Sequence, residues 1–142
     1  MAAQSLNMTD ATLVKTFATL VKTFACPSAA STSSTSAGID LGAGYNGNVE
    51  CELTVPALSS TIVPNASIVV YVVEASSVSD FSVIDQSYLY ESFTASGGTG
   101  IAAKTKRCRV PSNGSRYVRG RVQFGAATTT GAAITATLSL KF

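Results

Sequence analysis

The sequence contains no histidine and no tryptophan, and only 13% of its residues are charged. The absence of histidine removes the most common general base, the Ser-His-Asp and Cys-His catalytic arrangements, and most zinc sites. The acidic residues form no paired constellation that would suit acid–base chemistry. We therefore expect a protein that is not an enzyme, with no catalytic, metal-binding or cofactor-binding residues.

Cysteine is also scarce, and the three residues Cys26, Cys51 and Cys108 include no C-x-x-C pair. An odd count without that spacing does not favour a disulfide framework and fits synthesis in a reducing compartment, although one bridge remains open. No apolar run approaches the ~20 residues that span a bilayer. The N-terminus lacks a charged segment followed by an apolar one, so we expect neither a signal peptide nor a membrane partner.

A tandem repeat stands near the N-terminus, where TLVKTFA at 12–18 is followed by TLVKTFA at 19–25. Its large apolar side chains recur at spacings of four, three and four, as on one stripe of a helix: Leu13, Phe17, Leu20 and Phe24. Two interpretations stay open at this point. The segment is either a short amphipathic helix or extended arm pressed on the protein's own core, or an arm that docks on a neighbouring subunit.

The rest of the chain changes character after a Ser/Thr/Ala-rich stretch. We predict an N-terminal arm and linker over 1–38 and a β-sandwich over 39–142. Short apolar or alternating segments separated by Gly, Pro and Asn predict strands at 49–55, 67–75, 84–93, 101–110, 115–125 and 132–142. Turn signals about every 8–15 residues are typical of an all-β sandwich of the jelly-roll type.

Charge is distributed unevenly along the chain. Residues 1–91 hold all eight acidic residues and two lysines, whereas residues 92–142 hold eight cations and no acid. Seven of those cations flank one predicted turn at 111–114, on two strands that we predict to be adjacent: Lys104, Lys106, Arg107, Arg109, Arg116, Arg119 and Arg121. They are interpreted as a solvated face partly neutralised by the acidic half, as an interface with an acidic subunit, or as a nucleic-acid surface.

Two segments resemble a known family. AASTSSTSAGIDLGAG at 29–44 and RYVRGRVQFGAATTTGAAITATLSLKF at 116–142 are similar to small jelly-roll cement, or decoration, proteins of short-tailed bacteriophages. The resemblance implies a β-sandwich subunit, often a homotrimer, that is made in the bacterial host cytoplasm. It would sit on the outer capsid where major capsid protein subunits meet and stabilise the head by bridging them.

On that basis we predict two sets of residues that bind partners. The polar anchors are Lys106, Arg109, Arg116, Arg119 and Arg121, and the apolar arm is Leu13, Phe17, Leu20 and Phe24. Two alternatives remain: an adhesion module on a phage tail or head that binds a host surface, and a basic β module that binds nucleic acid. The second is favoured less, because only Tyr117 is interleaved with the cations.

Overall fold

The computed structural model describes residues 21–42, 49–58, 68–94, 100–125 and 134–141. Within these ranges all regular secondary structure is β-strand, which confirms the predicted all-β class. No helix among the described residues is long and apolar enough to cross a membrane.

The described residues contain nine strands, which form two sheets that face each other. In chain order they are β1 (Val21–Ala25), β2 (Ser33–Thr35), β3 (Ile39–Asp40), β4 (Val49–Val55), β5 (Ile68–Ser76), β6 (Gln86–Thr94), β7 (Lys104–Val110), β8 (Tyr117–Phe124) and β9 (Thr135–Lys141). The four-stranded sheet has the order β1-β9-β4-β7. The five-stranded sheet has the order β2-β8-β5-β6. Strand β3 pairs with β8 on the same side as β2, further along that strand.

The strand order is that of a jelly roll. Every pairing is antiparallel, and the chain crosses from one sheet to the other after nearly every strand. Among the strands that the structure describes, only β5 and β6 are consecutive and pair directly with each other. When β2 and β3 are counted as two halves of one strand, eight strands divide equally between two sheets, as in the double-sheet jelly roll.

The core lies between the sheets and follows the alternation predicted from the sequence. In β4 the inward residues are Val49, Cys51, Leu53 and Val55, and all are buried. Strands β8 and β9 alternate in the same way over most of their length. Strand β5 is buried on both faces over Tyr71–Ser76, as its nearly continuous apolar sequence predicts.

The N-terminal repeat contributes a strand to this sandwich. Residues 21–25 pair with β9, and Phe24, opposite Ala136, is only 8% exposed. A Cβ atom on Gly120 would stand 3.3 Å from the Phe24 ring, so the glycine leaves the space that this ring occupies. The helical interpretation is therefore wrong for residues 21–25, and Phe24 is a core residue rather than part of an exposed apolar stripe.

The reason for this correction is that pairing with a neighbouring strand overrides the helical spacing of the repeat. The exposed edge of β9 offers backbone hydrogen-bond partners, and a pairing strand satisfies them. Leu13, Phe17 and Leu20 lie outside the described residues. The predicted boundary at 38 also moves, because β1 and β2 are strands of the two sheets.

The two cationic strands are not neighbours, which corrects the prediction that they lie side by side. Strand β7 pairs with β4 over seven residue pairs, whereas β8 lies between β2 and β5 in the opposite sheet. The turn at 111–114 therefore carries the chain between sheets instead of closing a hairpin. The cations of the two strands are divided between the two sheets as a result.

Phe24→Ala should lower the free energy of unfolding by about 3 kcal/mol, because it empties a filled site between the sheets. Val21→Ala is the matched control on the same strand, since Val21 is 48% exposed, and it should change stability by less than about 0.5 kcal/mol. Urea unfolding followed by circular dichroism measures both. Equal effects of the two substitutions would contradict the placement of Phe24 in the core.

Candidate binding surfaces

A carboxylate is buried on the outer face of the five-stranded sheet. Glu74 on β5 is 3% exposed and lies opposite Arg119 on β8. Arg119 Nε donates to Glu74 Oε2 at 2.9 Å, and its Nη2 lies 2.9 Å from the same oxygen. Arg121 Nε lies 2.6 Å from Oε1, although the N–H is not aligned for a hydrogen bond. The buried carboxylate of Glu74 thus pairs with two of the arginines that were predicted to bind a partner.

An aromatic ring completes this arrangement from outside the sheet. The Arg119 guanidinium lies 4.6 Å from the centre of the Phe81 ring. Phe81 belongs to the loop that joins β5 to β6, and it is buried with a positive φ of 52°. Stacking and ion pairing together leave the Arg119 side chain mostly covered. Arg119 is therefore positioned to hold the loop and the sheet together.

Two more predicted anchors also have partners within the chain. Arg116 forms a bidentate pair with Asp40, at 2.7 Å from Nε to Oδ1 and 2.8 Å from Nη2 to Oδ2. That hydrogen-bonded guanidinium lowers the pKa of Asp40 below its ordinary value of 3.8. Lys106 Nζ lies 3.8 Å from Glu91 Oε1, which links the edge strands β7 and β6 of opposite sheets.

The outer face of the four-stranded sheet carries a second group of ion pairs. Arg107 Nε donates to Glu52 Oε2 at 2.7 Å, and Lys141 Nζ lies 3.4 Å from Glu52 Oε1. These cations lower the pKa of Glu52, with the Arg107 hydrogen bond as the largest cause. Arg109 is exposed opposite Glu50 and forms no ion pair with any described residue. Of the five predicted polar anchors, Arg109 alone keeps its charge uncompensated in this part of the chain.

The loop at 77–85 presents an apolar surface that the sequence analysis missed. Val83 is 64% exposed, and Val78 and Ile84 are also exposed. We had interpreted Ile84 as the beginning of a strand, whereas β6 begins at Gln86. A run of aliphatic residues among serines and aspartates was the available signal.

Hydrogen bonds hold that loop in one shape. Ser76 Oγ donates to the Val83 carbonyl at 2.7 Å and accepts from the Val78 N–H at 3.1 Å. The Asp85 N–H donates to the Ala75 carbonyl at 2.8 Å, which closes the base of the loop. Asp80 Oδ1 accepts from the Ser82 N–H at 3.0 Å. The exposed aliphatic side chains are thus presented by a preformed backbone.

A row of threonines crosses the outer face of the four-stranded sheet. Thr23, Thr137, Thr54 and Thr105 lie directly opposite one another on β1, β9, β4 and β7. Thr54 Oγ1 and Thr105 Oγ1 are 3.2 Å apart and share a hydrogen bond. This row is uncharged, in contrast to the ion-paired row beside it. The sequence shows these threonines, but their alignment depends on which strands pair.

Comparisons with known proteins give no family for the chain. No family model and no curated protein sequence matches it. Among solved structures, the chain is similar to the K1 cleaved adhesin domain of Lys-gingipain from Porphyromonas gingivalis, at 22% identity and a TM-score of 0.44. That similarity covers 70% of this chain and 58% of the adhesin domain.

Two further structures have lower identity. A family 16 carbohydrate-binding module matches at 9% identity and a TM-score of 0.38, over 84% of this chain and 74% of the module. A structure of the infectious bursal disease virus Gx strain matches at 9% identity and a TM-score of 0.41, over 83% of this chain and 28% of that chain. Since all three TM-scores are below 0.5, the fold assignment rests on the strand order and no function is transferred.

Glu74→Gln should lower the free energy of unfolding by about 3 kcal/mol, because it leaves Arg119 and Arg121 without their counter-charge on a covered surface. Glu91→Gln is the control, since it breaks the more exposed pair with Lys106 and should cost less than about 1 kcal/mol. Urea titration of both variants provides the comparison. A Glu74→Gln protein as stable as the wild type would show that the buried pair contributes nothing.

Proposed function

We propose that the chain is a non-catalytic structural virion protein that binds the outer capsid surface and bridges major capsid protein subunits. The observation that carries the proposal is the preformed loop at 77–85, which holds Val78, Val83 and Ile84 in solvent. Apolar side chains gathered on a monomer surface mark sites of protein contact. A rigid backbone lowers the entropic cost of such contact.

The surroundings of the loop suit a protein partner. The aliphatic side chains are flanked by exposed polar residues of the same loop, among them Ser79, Asp80 and Ser82. An apolar centre with a polar rim is the usual anatomy of a protein–protein interface. Both the resemblance to cement proteins and the jelly-roll strand order support a capsid as the partner, since viral capsid domains are among the proteins that use this architecture.

The internal ion pairs change which cations we assign to attachment. Arg119 and Arg121 are engaged by the buried carboxylate of Glu74, so charge reversal there would damage the fold before it tested binding. The more exposed Arg116 is already paired with Asp40. We assign attachment to the Val83 loop, with Arg109 as the charged contributor. The same pairing weakens the case for nucleic acid, because phosphate binding requires cations that are free to face the backbone.

A homotrimer would raise the affinity of attachment through this surface. Three copies of one weak contact act together, so attachment can exceed the affinity of a single contact by a factor of about 10²–10⁴. Repeated, identical capsid sites allow that arrangement. We therefore propose the homotrimer as the attaching unit, made in the host cytoplasm before it joins the virion.

One observation favours the adhesion module as the second candidate. Tyr90 is 69% exposed on β6, in the same cross-strand row as Val72 and Arg121. An exposed aromatic ring on a sheet face can stack on a sugar ring of a host glycan. Tyr90 lies on the sheet, whereas Val83 lies on the loop. Substituting each residue separately therefore distinguishes glycan binding from capsid attachment.

Val83→Ser combined with Ile84→Ser should reduce binding to capsid shells at least about tenfold, because it removes the apolar centre of the contact. The probe is purified shells of the encoding virus that lack this protein, with occupancy measured by sedimentation and quantitative gels. Tyr90→Ser is the control and should bind normally. Normal occupancy with the double variant would contradict the assignment, and a loss with Tyr90→Ser alone would favour the sheet face.

Deleting residues 12–18 tests the arm without removing β1. Because the repeat is tandem, deletion of either copy leaves the same chain, in which one TLVKTFA still precedes Cys26. We expect an unchanged unfolding midpoint and reduced shell binding or trimer formation, since Leu13 and Phe17 are proposed to dock on a neighbour. Sedimentation equilibrium measures the oligomer. Unchanged binding and oligomer size would remove the first copy from the proposal.

A further inference from the structure

Two free cysteines face each other across an edge of the sandwich. Cys51 on β4 and Cys108 on β7 are directly opposite in the antiparallel register. The buried pair Val49 and Val110 lies two positions away in the same register, so the strand alternation places both cysteine side chains on the inward face. Directly opposed residues on antiparallel strands have Cα atoms about 4.5–5.5 Å apart, within the span that a disulfide bridges.

The two thiols differ in access. Cys51 is fully buried, whereas Cys108 is only partly buried because β7 is an outer strand of its sheet. A hydrogen bond between the thiols lowers the pKa of Cys108 and raises that of Cys51. Cys108 is therefore the thiol that ionises and meets an oxidant first, with Cys51 beside it to complete the bond.

The third cysteine is unsuited to this chemistry. Cys26 follows β1, and burial raises the pKa of its thiol to about 11. Its N–H donates to the Ile134 carbonyl, which places it at the opposite edge of the sheet from β7. Cys26 therefore serves as an internal control for the selectivity of oxidation.

We propose that Cys51 and Cys108 form an intrachain disulfide when the protein meets a small-molecule disulfide, and that this bond fastens edge strand β7 to β4. The bond would close a loop that contains β5 and β6. Such a cross-link restricts the unfolded chain far more than the folded one, in which the two strands are already paired. The inference concerns the subunit itself and stands independently of the proposed attachment to capsids.

The reaction balances with oxidised glutathione as the oxidant. The Cys108 thiolate attacks one sulfur of glutathione disulfide and releases one glutathione thiolate, which takes up the proton that Cys108 lost. Cys51 then loses its proton, attacks the Cys108 sulfur of the mixed disulfide and displaces the second glutathione, which takes up that proton. Two protein thiols are oxidised, and one glutathione disulfide is reduced to two glutathione thiols.

The full chain, incubated with oxidised glutathione, should lose two of its three thiols without retaining glutathione. Mass spectrometry of the intact chain and a chymotryptic peptide map identify the linked residues. We expect the melting temperature to rise by about 5–15 °C relative to the dithiothreitol-treated protein. Persistence of all three thiols, or a link that involves Cys26, would overturn the proposal.

Two substitutions sharpen the test. Cys26→Ser should oxidise and gain thermal stability as the wild type does. Cys51→Ser should instead retain one glutathione on Cys108 and gain no stability, because no thiol is present to displace it. An unmodified Cys108 in the Cys51→Ser protein would contradict its assignment as the first thiol to react.

Discussion

A buried negative charge constrains the five-stranded sheet. Glu74 lies at a register irregularity of β5, between Val73 and Glu74, and is almost without solvent. A buried carboxylate is tolerated only where opposite charge compensates its lost hydration. Arg119 and Arg121 supply that charge from the next strand, and this fixes β8 beside β5 in one register. The position of β8 in turn sets where β2 and β3 pair.

This constraint decides which surfaces remain for binding. The arginines that look most suited to a partner in the sequence are used to neutralise the chain's own acid. The outward features that remain are the uncompensated charge of Arg109, the Tyr90 ring, the aliphatic side chains of the loop at 77–85 and the threonine row. Arg119 connects the two roles, since its stacking on Phe81 ties the buried pair to the loop. Loop shape and sheet electrostatics therefore depend on each other.

Most of the strands could be predicted from the sequence, because their patterns are local. The alternation in β4 and β8 and the apolar run of β5 each identify a strand without knowledge of its neighbours. Strand β1 could not be preferred to a helix, because the apolar side chains of the repeat recur at helical spacings and do not alternate as in a strand. Only the open edge of β9, which is set by the whole fold, decides between them.

The candidate site was less accessible to prediction because its contacts join distant residues. Arg119 and Glu74 are 45 positions apart, and Arg116 and Asp40 are 76 apart. Nothing local shows that an arginine meets a particular carboxylate, so the sequence left open whether the cations face the chain's own acids or a partner. The prediction that the two cationic strands lie side by side was wrong. It assumed that a short turn joins paired strands, whereas the turn at 111–114 passes between the two sheets.

The central location of β9 has a consequence for biosynthesis. This strand is the last that the structure describes, yet it lies between β1 and β4 and is the only described strand that links β1 to the rest of its sheet. A nascent chain on the ribosome therefore carries β1 and β4 with unsatisfied edges until β9 has been synthesised. Such a topology of long-range pairings folds slowly and is open to aggregation meanwhile. Cellular yield should accordingly depend on holding the emerging chain apart from its copies until β9 has left the ribosome.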